Sequence, residues 1–463
     1  MKKNLLLVTL VAQGISAQII SKDQNFATNG VYSMTENTAW SSIVQIADGN
    51  ILYTHDKLNT TYGRRESFLS KLTANGAVDF SFGISGTIQL PYYSYNNQLK
   101  KLSDGKLLTV GFSETGAHIT KILPNGLPDT SFGSNGTSTI PNLYADGNER
   151  SYGLVFQNDK IIVHGIDFPH GQNNQHRIYR LNSNGTIDTT FGTNGSVFTQ
   201  GNWSIGSFVL LDNQNNITAL TNSGIMEKFN SNGNPITSFG NNGILQMSSG
   251  LNFAGAVIMD SNNKIVYSTL MDEMFRINAD GTPDPTFNYN LPAYSGTNGG
   301  AWILNITEKD GYYYIAGSGE VDFPYTTFIT RLTQNGNIDP GFSYYSESDF
   351  NLGTAVDMSV NNNNIITIGG LHVVKYTINN ATLASKKNIK TNNNIAFENP
   401  VSQNLIYQTQ DKVVKIEIFS AAGKLLKTTK ESNTPVSDLP KGIYMAKVTF
   451  ENGNNTTKKL IKN

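Results

Sequence analysis

The chain has no cysteine. Disulfides, thiolate metal sites, a cysteine nucleophile and a lipidated N-terminal cysteine are therefore excluded. Charge is sparse: Lys, Arg, Asp and Glu make up 15% of the residues, and the net charge is −1. It is also unevenly spread. Residues 381–463 hold thirteen Lys, no Arg and six acidic residues, about +7, which leaves about −8 on the rest. An acidic body repels polyanions, so neither nucleic acid nor anionic lipid is an expected partner of it. No segment approaches the roughly 20 apolar residues of a membrane-spanning helix, so no transmembrane segment is expected. No amphipathic helical pattern appears anywhere, which points to an all-β chain.

The one short apolar run lies at the start. Lys2 and Lys3 precede the apolar stretch Leu5 to Ala12, and Ser16-Ala17 forms a small-residue exit before Gln18. Residues 1–17 read as a secretory signal, and an exported protein is expected.

What the chain has in plenty is one phrase. LTANGAVDFSFGISGT (72–87) returns at 122–137, 181–196 and 229–244, with shorter copies at 277–287 and 332–342. The Phe keeps its place in each: Phe82, Phe132, Phe191, Phe239, Phe287 and Phe342. A seventh copy is only a tail, DQNFATNGV, with Asp23, Phe26 and Gly30 where the first full copy has Asp79, Phe82 and Gly86. Upstream of every phrase, an apolar strand, a tight turn and a second strand recur, as in IVQIADGNILYTH (43–55) and LKKLSDGKLLTVG (99–111). Asp-Gly and Asn-rich pairs between β-branched residues are hairpin signals. Four short strands in about fifty residues match one blade of a β-propeller. Seven inner hairpins with six complete tails predict seven blades over residues 18–380. The N-terminal segment would supply the missing outer strand and close the ring.

A cation stands four residues before each turn: Lys71, Lys121, Arg180, Lys228, Arg276, Arg331 and Lys375. On an apolar strand face it needs an anion or carbonyls, and the repeated Asp (Asp79, Asp129, Asp188, Asp284, Asp339) is the expected partner. The fourth copy has Ile236 there instead. The cations and the Phe residues read as scaffold, the Phe rings as plugs between blades.

Chemistry is harder to find. His164, Asp167, His170 and His176 match no zinc spacing, and no metal or cofactor is expected. No nucleophile elbow, phosphate-cradling loop or dinucleotide fingerprint is present. The aromatics outside the phrase are the candidate ligand contacts: Trp40, Trp203 and Trp302 before inner strands, with Tyr92 and Tyr93 before that of the second blade. Gathered at the channel mouth they would form a platform for a sugar ring or an extended peptide. Two further readings stay open: a polysaccharide hydrolase or lyase with paired carboxylates at that mouth, and a structural surface protein.

The phrase Asn-Gly-x-x-Asp-x-x-Phe-Gly-x-x-Gly resembles the delta-60 repeat of secreted bacterial β-propellers, a family whose resemblance implies the fold and no activity. Residues 381–394 are polar and rich in Asn and Lys, as in a linker. Residues 395–463 alternate like a small immunoglobulin-like β-sandwich. Asn399-Pro400, the turn with Gly423 and Lys424, then Leu439, Gly442 and Tyr444, and finally Lys458-Lys459 resemble the type A C-terminal sorting domain of the type IX (Por) secretion system. That resemblance implies a cargo that engages the secretion machinery, loses this domain, and is released or held at the outer cell surface. The mature body is expected to be a monomer that binds extracellular glycan or protein rather than an enzyme.

Overall fold

Tight turns decide the local structure. At the hairpin turns the left-handed conformation falls on Gly49, Gly105, Asn158, Asn215, Asn263 and Asp310, so Asn and Asp stand in for Gly. Each turn returns the chain antiparallel on itself, and among the described residues every regular element longer than one residue is a β-strand. The computed structural model describes residues 18–38, 41–61, 63–113, 115–141, 152–167, 175–200, 207–221, 224–247, 254–269, 273–289, 301–319, 326–342, 344–347, 349, 352–380, 395–409, 411–420, 424–451 and 455–463. The chain divides into two compact units, Met1–Thr382 and Leu383–Asn463.

In the first unit the described strands pair into seven antiparallel sheets. Their first strands, Ile43–Gln45, Tyr93–Lys101, Tyr152–Gln157, Ser207–Leu211, Ala254–Met259, Ala301–Lys309 and Asp357–Val360, touch one another in that order. The last touches the first, so the sheets stand in a closed ring. This is a β-propeller.

The seventh sheet is assembled from both ends of the unit. The strand Asn364–Asn380 turns back at Gly370, and Ile378 N donates to Asn363 O at 2.8 Å. Gln18–Lys22 and Val31–Thr38 then pair with its outer half. Asp23 N donates to Lys375 O at 2.9 Å, and Lys375 N to Gly30 O at 3.0 Å. Asp79, Lys71 and Gly86 in the first sheet make the same two bonds at 2.9 and 3.0 Å.

The cores lie between sheets. Leu108, Val110, Ile119 and Phe132 of the second sheet pack with Leu154, Ile161, Val163 and Leu181 of the third. Burying one such side chain contributes about 1.5–3 kcal/mol, which an isolated four-stranded sheet could not gather.

The second unit has two sheets over one core. One pairs Ile395–Phe397, Asn404–Thr409 and Asn433–Pro435, and the other has Leu425–Thr429, Val413–Ser420, Gly442–Phe450 and Asn455–Lys462 in that order across it. Leu405, Ile416, Ile418, Val436, Ala446 and Val448 fill the space between them.

Candidate functional site

The repeated cation and the repeated Phe form one unit that ties neighbouring sheets together. Lys71 lies 3.0 Å from Asp79, Lys121 3.9 Å from Asp129 and Lys375 3.3 Å from Asp23. Arg180, Arg276 and Arg331 donate through Nε to Asp188, Asp284 and Asp339 at 2.9, 2.7 and 2.8 Å. The Ser131 hydroxyl and Lys106 hold Asp129 down to about 2, so this carboxylate stays charged. The cation heads also stand over the repeated rings, Arg180 at 4.8 Å from Phe191 and Lys375 at 5.6 Å from Phe26. Four of them also reach into the next repeat: Arg180 donates to Ser231 O at 2.6 Å, Lys228 to Ala279 O at 3.0 Å, Lys375 to Ala74 O at 3.0 Å, and Arg276 to Gln334 O.

The residue after the Phe makes a second tie. Gly83, Gly133, Gly192 and Gly240 donate their amides to Asn125, Asn184, Asn232 and Asp280 in the following turn, and Asn288 and Ala27 do the same to Asn335 and Asn75, all at 2.7–3.0 Å. The Phe ring lies on the glycine of that turn. A Cβ on Gly126 would stand 2.8 Å from Gly83 N and 3.2 Å from the Phe82 ring, at a φ of +89°. Phe26, Phe82, Phe132, Phe191 and Phe239 are fully buried and Phe342 nearly so, while Phe287 is half-buried against Tyr313.

The fourth sheet finds its anion elsewhere. Lys228 lies 3.2 Å from Asp212, which opens the hairpin turn of the same sheet, and both side chains are 5% exposed. Asp212→Ala leaves the ammonium buried without a carboxylate, and a loss of about 3–5 kcal/mol is expected in a denaturant titration. Asp104→Ala, which removes a half-exposed carboxylate 3.8 Å from Lys106, should change little.

The first strands line a central channel of about 860 Å³. Its described lining is mostly apolar, with Lys100, Lys101 and Asp357 as the ionisable groups. Asp357 Oδ2 accepts from Ser42 Oγ and Ile43 N, both at 2.8 Å, and Oδ1 accepts from Met358 N. Burial pushes this carboxyl up, against those donors and Lys100. It therefore ties the seventh sheet to the first. Gln98 does the same between the second and third, accepting from Leu154 N at 3.0 Å. Neither role was visible in the repeat phrase, because both residues vary at that position of the first strand.

The aromatic candidates are not brought together among the described residues. Tyr92 is 2% exposed, packed with Leu52, Leu69, Phe82 and Leu99. It is a core residue and no ligand contact: Gly111 leaves the space its ring fills. Trp302 lies within the strand Ala301–Lys309 rather than before it and is 37% exposed. Trp40, Trp203 and the Tyr93 side chain lie outside the described residues, as do His170 and the Asp167 side chain.

His164 and His176 do meet, their ring centroids 6.1 Å apart on adjacent strands. His164 Nδ1 lies 3.1 Å from Phe208 O, to which it donates, and Nε2 lies 3.2 Å from Thr199 Oγ1. Burial pushes His164 down to about 3 and His176 to about 4. Near Thr199, Glu227 is 7% exposed, accepts from Gln200 N, and is pushed up by burial to about 7. The described part of this cluster holds no third His, Asp or Glu within reach of a shared metal ion.

In the second unit Tyr444 is buried, and its hydroxyl donates to Pro440 O at 2.7 Å. Leu439 packs at the edge of the core, while Lys424, Gly442, Lys458 and Lys459 are exposed. Gly423 lies outside the described residues.

Residues 396–463 match the family described as the secretion system C-terminal sorting domain. Residues 157–191 and 308–342 match a beta-propeller domain of unknown function (DUF5122). Both propeller matches end on a repeated Phe, Phe191 and Phe342. No curated protein matches the chain. Among solved structures, the extracellular domain of a hybrid two-component system from B. thetaiotaomicron is similar at 11% identity and a TM-score of 0.39. That match covers 97% of this chain and 59% of the other, so the chain spans about three fifths of that relative. BamB from Moraxella catarrhalis is similar at 13% identity and a TM-score of 0.40, over 79% of this chain and 97% of its own. Raptor from Chaetomium thermophilum is similar at 9% identity and a TM-score of 0.48, over 79% and 29%. The C-terminal unit is thus a Por-type sorting domain, which implies export by type IX secretion and engagement of that machinery. No helix among the described residues is long and apolar enough to cross a membrane.

Proposed function

We propose that this exported chain carries a seven-bladed propeller of the delta-60 type whose task, at the outer cell surface after loss of the sorting domain, is to bind an extracellular glycan or protein without transforming it. The observation behind this reading is how the polar groups of the scaffold are used. The repeated cations and carboxylates pair with one another, and the one carboxylate on the described channel wall, Asp357, accepts from Ser42 and Ile43. Glycoside hydrolysis needs two carboxyl groups about 5–10 Å apart on either side of a bond. One engaged Asp does not supply that geometry. Recognition then falls to the surface where the copies differ, with Trp302, at the start of its strand, as the exposed aromatic among the described candidates. The hydroxyl of Tyr444 bonded back to Pro440 supports an immunoglobulin-like sandwich for the C-terminal domain.

A glycan array probed with the chain from Gln18 onward tests the sugar version. Retention of one oligosaccharide class is expected, weakened at least tenfold in Trp302→Ala, with no shortening of the bound sugar over hours. Blank arrays would remove the glycan reading and leave a protein ligand; released sugar would overturn the non-enzymatic reading.

A further inference from the structure

We propose that one end of the outward face of the four-stranded sheet in the C-terminal domain, built by Leu425, Phe419, Ile443, Met445 and Ile461, is the surface by which the secretion machinery grips this cargo. The proposal rests on the sorting-domain reading and adds the residues that make the contact and the chemistry they require.

Strand alternation carries the first step. In Gly442–Phe450 the side chains of Tyr444, Ala446, Val448 and Phe450 enter the core, so Ile443, Met445, Lys447 and Thr449 stand on the other face. A sheet with one wet face should be polar there, and Lys447 and Thr449 obey this. Ile443 and Met445 do not, at 51% and 39% exposure. Their cross-strand partners break the rule with them. Ile443 stands opposite Ile461, and Met445 opposite Phe419, which stands opposite Leu425. Residues directly opposite one another share a face about 4.5–5.5 Å apart. Five apolar side chains are therefore contiguous on solvent-facing sheet, with Leu425 47% and Ile461 38% exposed. Single exposed apolar residues mean little, but a contiguous group marks a contact surface.

The rim identifies the occupant. Lys459 stands opposite Met445, Lys447 follows Met445 on the same face, and Lys424 directly precedes Leu425. The acidic residue nearest the patch on this face, Glu417, already pairs with Lys415 at 3.0 Å. The surface fits a partner that offers an apolar patch edged with carboxylates. The residues that carry the likeness to sorting domains converge here as well. Lys459 stands on the patch face, and Lys424 and Gly442 adjoin Leu425 and Ile443 in the chain, whereas Leu439 and Tyr444 hold the core beneath it.

The test uses the full chain in a bacterium that runs type IX secretion. Ile443→Asp with Met445→Asp should lower the amount outside the cell at least tenfold and leave full-length, folded protein in the periplasm. Gln408→Asp, an exposed change on the other sheet, should not alter export. Should the double variant misfold, Lys447→Glu with Lys459→Glu gives the same readout from exposed positions on this face, with a several-fold fall expected. Wild-type export of folded patch and lysine variants overturns the proposal. If deletion of 395–463 still stops export in that case, the sorting reading stands and only the patch falls; export of the deletion itself would end the sorting reading. A photoreactive side chain at Met445 should mark an outer-membrane component of the machinery. Marking only a second copy of this chain, or only lipid, overturns the proposed occupant.

Discussion

A chain lacking residues 18–35 is expected to lose its cooperative melting transition at the wild-type temperature and to expose its seventh sheet to proteolysis. The segment is short, but its contacts are of the kind that are costly to break. Phe26 is fully buried among Ile43, Tyr53, Ile366 and Val373, and removing such a ring costs about 3–5 kcal/mol. Lys375 loses Asp23 while its side chain stays 13% exposed. Glu347, its side chain 1% exposed, loses Lys22 at 3.2 Å. Lys375 keeps Ala74 O, and Glu347 keeps the Tyr345 hydroxyl and Asp349 N, so each lost ion pair costs about 1.5–3 kcal/mol. The outer half of the strand Asn364–Asn380 also becomes an unpaired edge. Together these losses rival the roughly 5–15 kcal/mol that holds a domain folded. Calorimetry of the truncated chain checks this, and so does addition of the 18–35 peptide in trans, which should restore the transition. An unchanged melting temperature without the peptide would show that the ring closes some other way.

That closure could be read from the sequence because it depends on local turn chemistry repeated seven times. Asp23, Phe26 and Gly30 repeat the spacing of Asp79, Phe82 and Gly86, and equal spacing in equal turns yields equal hydrogen bonds. The division into hairpins was legible for the same reason. The links between first strands were not. Asp357 and Gln98 act across sheets, at a position where other copies carry residues as different as Ser42, Gly153, Phe208 and Asn305, so no repeat advertises them. Lys228 taught the converse: losing the expected Asp to Ile236 did not leave the cation alone, because Asp212 from an earlier turn comes within 3.2 Å. Tyr92 misled because an aromatic beside an inner strand can fill the space over a glycine, here Gly111, as readily as it can face a ligand. The apolar patch of the sorting domain was visible in principle, since Gly-Ile-Tyr-Met places apolar side chains on both faces of one strand. Recognising it as exposed required the register that sets Ile443 against Ile461 and Met445 against Phe419.

Acid should destabilise the propeller well before its surface carboxylates are neutralised, and the cause should be traceable to His164 and His176. Both are fully buried, and they lie at about 3 and about 4 in the folded protein against 6.5 in the unfolded chain. A depressed histidine means that the unfolded chain binds protons the folded one refuses. Stability is thus fully present above pH 6.5 and is lost as pH falls toward 4. Glu227 works in the opposite direction. Raised to about 7 from 4.5, it keeps its proton when folded, so it costs stability as pH rises from 4.5 to 7. Two histidines outweigh one glutamate, and the three groups together place the optimum near pH 7, with a fall of roughly 1 kcal/mol per pH unit between 6 and 5. His176→Leu separates the contributions. Neither ring nitrogen of His176 has a hydrogen-bond partner among the described residues, so the substitution forfeits no bond there. It should raise stability at pH 5 and remove about 3 kcal/mol of the change between pH 6.5 and 4. Glu227→Gln should instead raise stability at pH 8 and steepen the acid limb. Chemical denaturation at half-unit steps from pH 4 to 8 reads both variants, and an acid limb as steep in His176→Leu as in the wild type would rule out the buried pair as its source.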